Sequence, residues 1–145
     1  MRGPMKARQS IVFLFVAMTA LATSARAEDT LYHDLGERPG IEKIANQMVD
    51  NALADDRIKH YFDESNIPRI RHMLTDQLCS VAGGPCVYKG HSMAAAHRGL
   101  HLHNRDFDAI VEDLQKSMDK NGIPFPVQNR LLARLAPMEH DVVTR

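Results

Sequence analysis

His97 is the residue best suited to chemistry in this chain: it sits in the stretch HSMAAAHRGLHL, residues 91–102, between small residues and a glycine. It is the candidate iron ligand, although a neutral imidazole suits iron, zinc or copper and the stretch alone leaves the metal open. Ala94, Ala95 and Ala96 are small enough to let a flat cofactor approach a short helix closely, and Gly99 ends the turn with no side chain in the way. Two other readings stand beside this one. His97 is also simply a polar residue near a helix end, where the helix dipole favours it. Alternatively His97, His101 and His103 form a zinc or copper set, since four-residue spacing can place two imidazoles on one helical face; Gly99 argues against a continuous helix there.

The elements that must position His97 read as helices. Ile41, Ile44, Ala45, Met48, Val49, Ala52 and Leu53 recur at helical spacing after a break at Arg38-Pro39-Gly40. Asp55-Asp56 begins a short helical piece carrying Ile58, Tyr61 and Phe62 inward. Asn66 and Pro68 start the next helix, with Ile67, Ile70, Leu74, Leu78 and Val81 as its stripe and Gly83-Gly84-Pro85 as its stop. Asn104 caps a helix bearing Phe107, Ile110, Val111, Leu114 and Met118, which Asn121-Gly122 ends. Pro124 and Pro126 introduce the last, with Leu131, Leu132, Leu135 and Met138, and Pro137 disturbs its end. No strand pattern, repeat, phosphate-binding glycine loop or nucleophile–base motif stands out. The expected fold class is all-α.

Residues 1–27 open with Arg2, Lys6 and Arg8, continue with an apolar run over residues 11–22, and close on Ala25-Arg26-Ala27. This reads as a secretory signal peptide, too short in its apolar part for a span of about 20 residues. Cleavage after Ala27 leaves one domain, residues 28–145, with 14 basic and 18 acidic residues, a charge of −4 that argues against nucleic acid as a partner. No membrane span remains after cleavage, an uncleaved anchor being the alternative, and the protein is expected to be exported, in a bacterial periplasm. Cys79 and Cys86 are the only cysteines, and in an oxidising compartment a disulfide is the simplest expectation. Neither belongs to a Cys-x-x-Cys-His motif.

Taken together, LYHDLGERPGIEKI, LADDRIKHYF, LCSVAGGPCVYKG, MAAAHRGL, DFDAIVEDL and the LLARLAPMEHDVV tail resemble the group I truncated globins over residues 31–143. Their order and spacing carry the resemblance; no single motif does. It implies a two-over-two helical sandwich, B and E over G and H, enclosing haem b. Residues 41–53 correspond to B, 67–82 to E, 106–120 to G and 126–140 to H, with the F helix reduced to a loop and one turn around His97. His97 then matches the proximal histidine on iron and Phe62 the phenylalanine against the haem face. Leu102, Phe107, Ile110 and Leu114 match the proximal lining, Gly83-Gly84 the turn after E, and Tyr88 the tyrosine of the following loop.

On the distal side the resemblance breaks down. Where many relatives carry a B-helix tyrosine and E-helix glutamines, this chain has Val49, Ile70 and Leu74. A hydrogen bond to bound dioxygen is worth roughly 1–3 kcal/mol, so its absence predicts faster oxygen release, with carbon monoxide and nitric oxide less affected. Gln77, one turn beyond Leu74, either supplies an amide or lies at the surface. Met73 and His72 are candidate sixth iron ligands; His72 lies about 200° around the helix from Ile70 and Leu74 and should face away from that stripe. The expected function is reversible binding of a diatomic gas. Nitric oxide dioxygenase turnover would need stabilised dioxygen and a reductase partner, neither visible in these residues, so a binding protein is favoured over an enzyme. The rivals are electron transfer through six-coordinate haem and the periplasmic zinc or copper binder.

Overall fold

The computed structural model describes residues 30–144; the expected signal peptide lies outside them. Among the described residues all regular structure is helical. The chain runs α1 (Leu31–Asp34), α2 (Glu37–Ala54), a 3₁₀ turn (Lys59–Phe62), α3 (Ile67–Val81), α4 (Met93–Ala96), α5 (Asn104–Lys120) and α6 (Phe125–Leu135). A second 3₁₀ turn (Ala136–Met138) leads into α7 (Glu139–Val142). Helix α2 packs against both α3 and α5, α6 closes on α3 and α5, and α4 meets α7, which makes two layers of two long helices. None of these helices is long and apolar enough to cross a membrane.

The main core lies at one end of the sandwich, where Leu31, Leu35, Ile41, Ile44, Leu78, Leu114, Met118 and Leu131 are fully buried. A smaller cluster of Ala52, Ile58 and Ala109 supports the 3₁₀ turn. Leu53, counted in the predicted α2 stripe, is instead 37 % exposed at the helix end.

Helix α2 begins four residues before the expected start. Arg38-Pro39-Gly40 forms its first turn, where amide hydrogens have no helical partner and proline costs nothing. Gly40 is required there by close approach, since a Cβ would stand 2.2 Å from the Leu35 carbonyl oxygen. Helix α3 follows the expectation within a residue: Asn66 caps it by accepting from the Arg69 backbone N–H at 3.0 Å, with Pro68 in the first turn.

Helix α5 starts two residues before position 106, and its cap is His103, not Asn104. The Asp106 carboxylate reaches back to accept from the His103 N–H at 2.9 Å, which satisfies the donor a usual cap leaves to water. The last expected helix, residues 126–140, is divided into α6, a 3₁₀ turn and α7, because Pro137 has no N–H to give and its ring crowds the preceding turn. Cys79 in the last turn of α3 faces Cys86 in the loop beyond it, with Cα atoms 5.8 Å apart. Arg38 braces this corner, donating to Cys86 Sγ at 3.2 Å and pairing with Asp76 at 2.9 Å.

Candidate functional site

Between the two helical layers lies a cavity of about 500 Å³, within the range of cofactor sites. Its lining is dominated by apolar side chains from α2, the first 3₁₀ turn, α3 and α5, with α4 and α7 closing it.

Each apolar position expected from the sequence reaches this cavity: Val49 from α2, Phe62 from the 3₁₀ turn, Ile70 and Leu74 from α3, Leu102 before α5, and Phe107, Ile110 and Leu114 on α5. Leu102 and Leu114 are also buried, at 7 % and 2 % exposure. Ile70 and Leu74 reach the cavity because residues four apart share one helical face, set by a cap that fixes where the helix begins.

His97 also lines the cavity, at the C-terminal end of α4. Ser92 starts that single turn by accepting from the Ala95 N–H at 3.2 Å, and Gly99 leaves it with φ +81°, a conformation glycine takes without strain. The Nδ1 of His97 lies 2.8 Å from the Met93 carbonyl oxygen. A carbonyl only accepts, so Nδ1 carries a proton in this contact, and in the neutral imidazole Nε2 is then the nitrogen with the lone pair. This is how a protein readies an imidazole to ligate a metal. An apolar cavity with one such nitrogen fits a flat, largely apolar macrocycle with a central metal.

Other residues named from the sequence divide between the cavity and the surface. Of the three alanines only Ala96 lines the cavity; Ala94 and Ala95 are exposed on the outer face of α4. His72 is exposed and points at Asp76, 3.5 Å away, so it is no candidate for the cavity; Met73 does line it. This follows the 100° advance per residue, which turns residue 72 away from 70 and 74. His101 and His103 stand outside the cavity, and no group of three ligating side chains forms among the described residues, which removes the zinc or copper set. Gln77 is at the cavity, but its amide is already engaged, donating to Met93 Sδ at 3.1 Å and Met138 Sδ at 3.5 Å.

Tyr61, expected to face inward, and Asp106 form a polar pair at the cavity that the sequence reading does not join. The Tyr61 hydroxyl donates to Asp106 Oδ2 at 3.1 Å, and both residues line the cavity. The His103 N–H, helped by the Tyr61 hydroxyl, holds the Asp106 carboxyl below its ordinary pKa against the opposing effect of burial. Burial first, and then the bond to Asp106, push the Tyr61 phenol up. The available signal was an acidic residue three positions after His103, a capping-box spacing. Tyr88 is likewise raised by burial, and its hydroxyl donates to the His91 carbonyl at 2.8 Å.

An all-helical two-layer sandwich around an apolar cavity, with one imidazole prepared at its wall, defines the globin class. Residues 30–144 match the family described as bacterial-like globin. A group 1 truncated hemoglobin from Tetrahymena thermophila is 37 % identical over 98 residues, covering 68 % of this chain and 81 % of that protein. The group 1 truncated hemoglobin GlbN of Synechocystis sp. is 32 % identical over 99 residues, covering 66 % and 80 %. The crystal structure of Tetrahymena pyriformis truncated hemoglobin in its Fe(III) form superposes with a TM-score of 0.77 at 30 % identity, over 79 % of this chain and 98 % of that one. The chain belongs to the group 1 truncated globins of the bacterial-like globin family, and it is a haem-binding, gas-binding globin by that membership.

Proposed function

We propose that His97 is the proximal iron ligand of haem b held in this cavity, and that a diatomic gas binds beside Val49, Ile70 and Leu74. The observation that carries this is the His97 Nδ1 contact to the Met93 carbonyl at 2.8 Å, which leaves Nε2 as a lone-pair donor on the cavity wall. Haem, when bound, would supply an iron atom that His97 would hold and to which a diatomic gas could bind. Phe62, Leu102, Phe107, Ile110 and Leu114 exclude water from the macrocycle. Val49, Ile70 and Leu74 bring no N–H or O–H to the gas side, and the Gln77 amide is spent on two sulfurs. The pocket therefore suits carbon monoxide and nitric oxide better than dioxygen, whose bound form draws roughly 1–3 kcal/mol from a donor. Binding, not nitric oxide dioxygenase turnover, is the reading these residues support, and no reductase partner is required by it.

Export belongs to the same reading. The basic, apolar and small-residue order of residues 1–27 supports a cleaved leader and a periplasmic domain of residues 28–145. The Cys79–Cys86 pairing supports a disulfide formed after export.

Met73 on the cavity wall favours one second reading, six-coordinate His97/Met73 haem used for electron transfer. The test is the absorption spectrum of the ferrous protein. A five-coordinate form that takes up carbon monoxide supports gas binding; a low-spin form resistant to carbon monoxide supports Met73 ligation.

A further inference from the structure

The chain has three tyrosines and no tryptophan, and only one of the three is built to lose an electron cleanly. One-electron oxidation of a phenol makes its proton strongly acidic, so a base in hydrogen-bond contact decides whether the oxidation is feasible. Tyr32 accepts at its hydroxyl from the Arg38 N–H at 3.1 Å and does not line the cavity. Tyr88 lines the cavity, but its hydroxyl meets the His91 backbone carbonyl, which cannot take the proton. The Tyr61 hydroxyl meets Asp106 Oδ2 at 3.1 Å, a carboxylate with only 8 % exposure. On its other side the Tyr61 ring lies against the exposed imidazole of His60, with ring centroids 4.0 Å apart and planes 38° apart. Tyr61 thus touches the cavity, a proton acceptor and the surface at once.

We infer that Tyr61 and Asp106 form a proton-coupled electron relay between the cavity and the protein surface at His60. In the forward step the phenolic O–H bond breaks and its proton forms an O–H bond on Asp106 Oδ2. One electron would pass to a one-electron oxidant at the cavity, which haem, if bound there and oxidised by hydrogen peroxide, would supply. The products are a neutral tyrosyl radical and a neutral carboxylic acid. In the return step a one-electron donor at the His60 surface supplies the electron, and Asp106 hands the proton back. Two successive turns of the relay, each drawing one electron from the outside reductant, together with two protons from water, would account for reduction of one hydrogen peroxide to two waters, an activity distinct from gas binding. The other contacts to Asp106 are the His103 N–H, which keeps the carboxylate ionised, the His103 Nδ1, 3.5 Å from the same oxygen, and Arg105, 3.9 Å from the other.

The inference rests on haem occupying the cavity, and the experiment separates the two. The full exported chain is loaded with haem, its absorption spectrum is recorded, and it is mixed with hydrogen peroxide, frozen and read by electron paramagnetic resonance. A neutral tyrosyl radical is expected in the natural protein, reduced at least tenfold in Tyr61→Phe and in Asp106→Asn with haem absorption retained. An undiminished radical in Tyr61→Phe, or no tyrosyl radical in haem-loaded natural protein, overturns the relay. Should Asp106→Asn fail to fold, the rate of radical formation in heavy water replaces it: a slowing of twofold or more supports proton transfer, and no slowing overturns it. If the spectrum shows that no haem binds, the proposed function has failed. The relay is then read by flash oxidation of the same chain with tris(bipyridine)ruthenium(III), where loss of the radical in Tyr61→Phe supports it and its persistence overturns it.

Discussion

Substituting Leu74→Gln should turn a weak oxygen binder into a stronger one. Leu74 is half-buried on the cavity wall, on the same α3 face as Ile70. A glutamine of similar length there would bring an amide donor to a space where Val49 and Ile70 offer none. One hydrogen bond to the partly negative dioxygen, in a dry apolar site, is worth roughly 1–3 kcal/mol, which corresponds to about a five- to 150-fold slower release. The amide also costs about 1–3 kcal/mol while no gas is bound, if it finds no partner. The variant is therefore expected to bind oxygen more tightly and to unfold at lower denaturant without ligand. Stopped-flow displacement of oxygen by carbon monoxide measures the release directly. Gln77→Leu is the control: its amide is held by Met93 and Met138, so its loss should change the release less than about twofold. An unchanged release in Leu74→Gln, or a large acceleration in Gln77→Leu, would refute the placement of the gas beside Leu74.

Three further outcomes follow from the same geometry. Met73→Leu should leave the ferrous spectrum unchanged if gas binding is the function; conversion of a low-spin spectrum to a five-coordinate one would instead establish Met73 as a ligand. Cys86→Ser should cost about 2–3 kcal/mol in reversible denaturation, as expected for a loop closed by a separation of seven residues, and mass spectrometry of unreduced protein should show Cys79 and Cys86 linked. Asp113 is 1 % exposed, its Oδ1 pairs with Lys116 at 3.2 Å, its Oδ2 has no partner, and burial raises its pKa. A raised folded-state pKa favours the folded protein at low pH and loses that advantage as pH rises, so Asp113→Asn should stabilise by about 1 kcal/mol at neutral pH and by nothing once pH falls below the carboxylate range. Urea unfolding at two pH values checks this, and a destabilised variant at neutral pH would count against it.

Local chemistry is the part of this fold most legible in the sequence. Helix α3 was legible to within a residue because Asn66 and Pro68 mark a start that few other conformations permit. Its 3.6-residue period then placed Ile70 and Leu74 on the cavity and turned His72 away from it. The reading was weaker where one residue type has two meanings. Pro39-Gly40 looks like a break, yet proline is harmless in a first turn and Gly40 is there to admit the Leu35 carbonyl. His103 is outside the usual cap residues, so Asn104 was the natural choice until Asp106 is seen reaching back. Least legible were contacts between distant parts of the chain. Tyr61 meets Asp106 across 45 positions, and Gln77 meets Met93 and Met138 across 16 and 61. No periodicity encodes such pairs; they exist only once the two helical layers close.

The most direct test of the account is the absorption spectrum of the purified exported protein beside that of His97→Ala, each ferric, then ferrous, then with carbon monoxide. The natural protein should show a Soret band and a five-coordinate ferrous form that shifts on adding carbon monoxide, while His97→Ala, folded by circular dichroism, should lose haem on gel filtration. An unchanged haem content and iron coordination in His97→Ala, or no haem band in the natural protein after reconstitution, would contradict the claim that this cavity is organised around iron on His97.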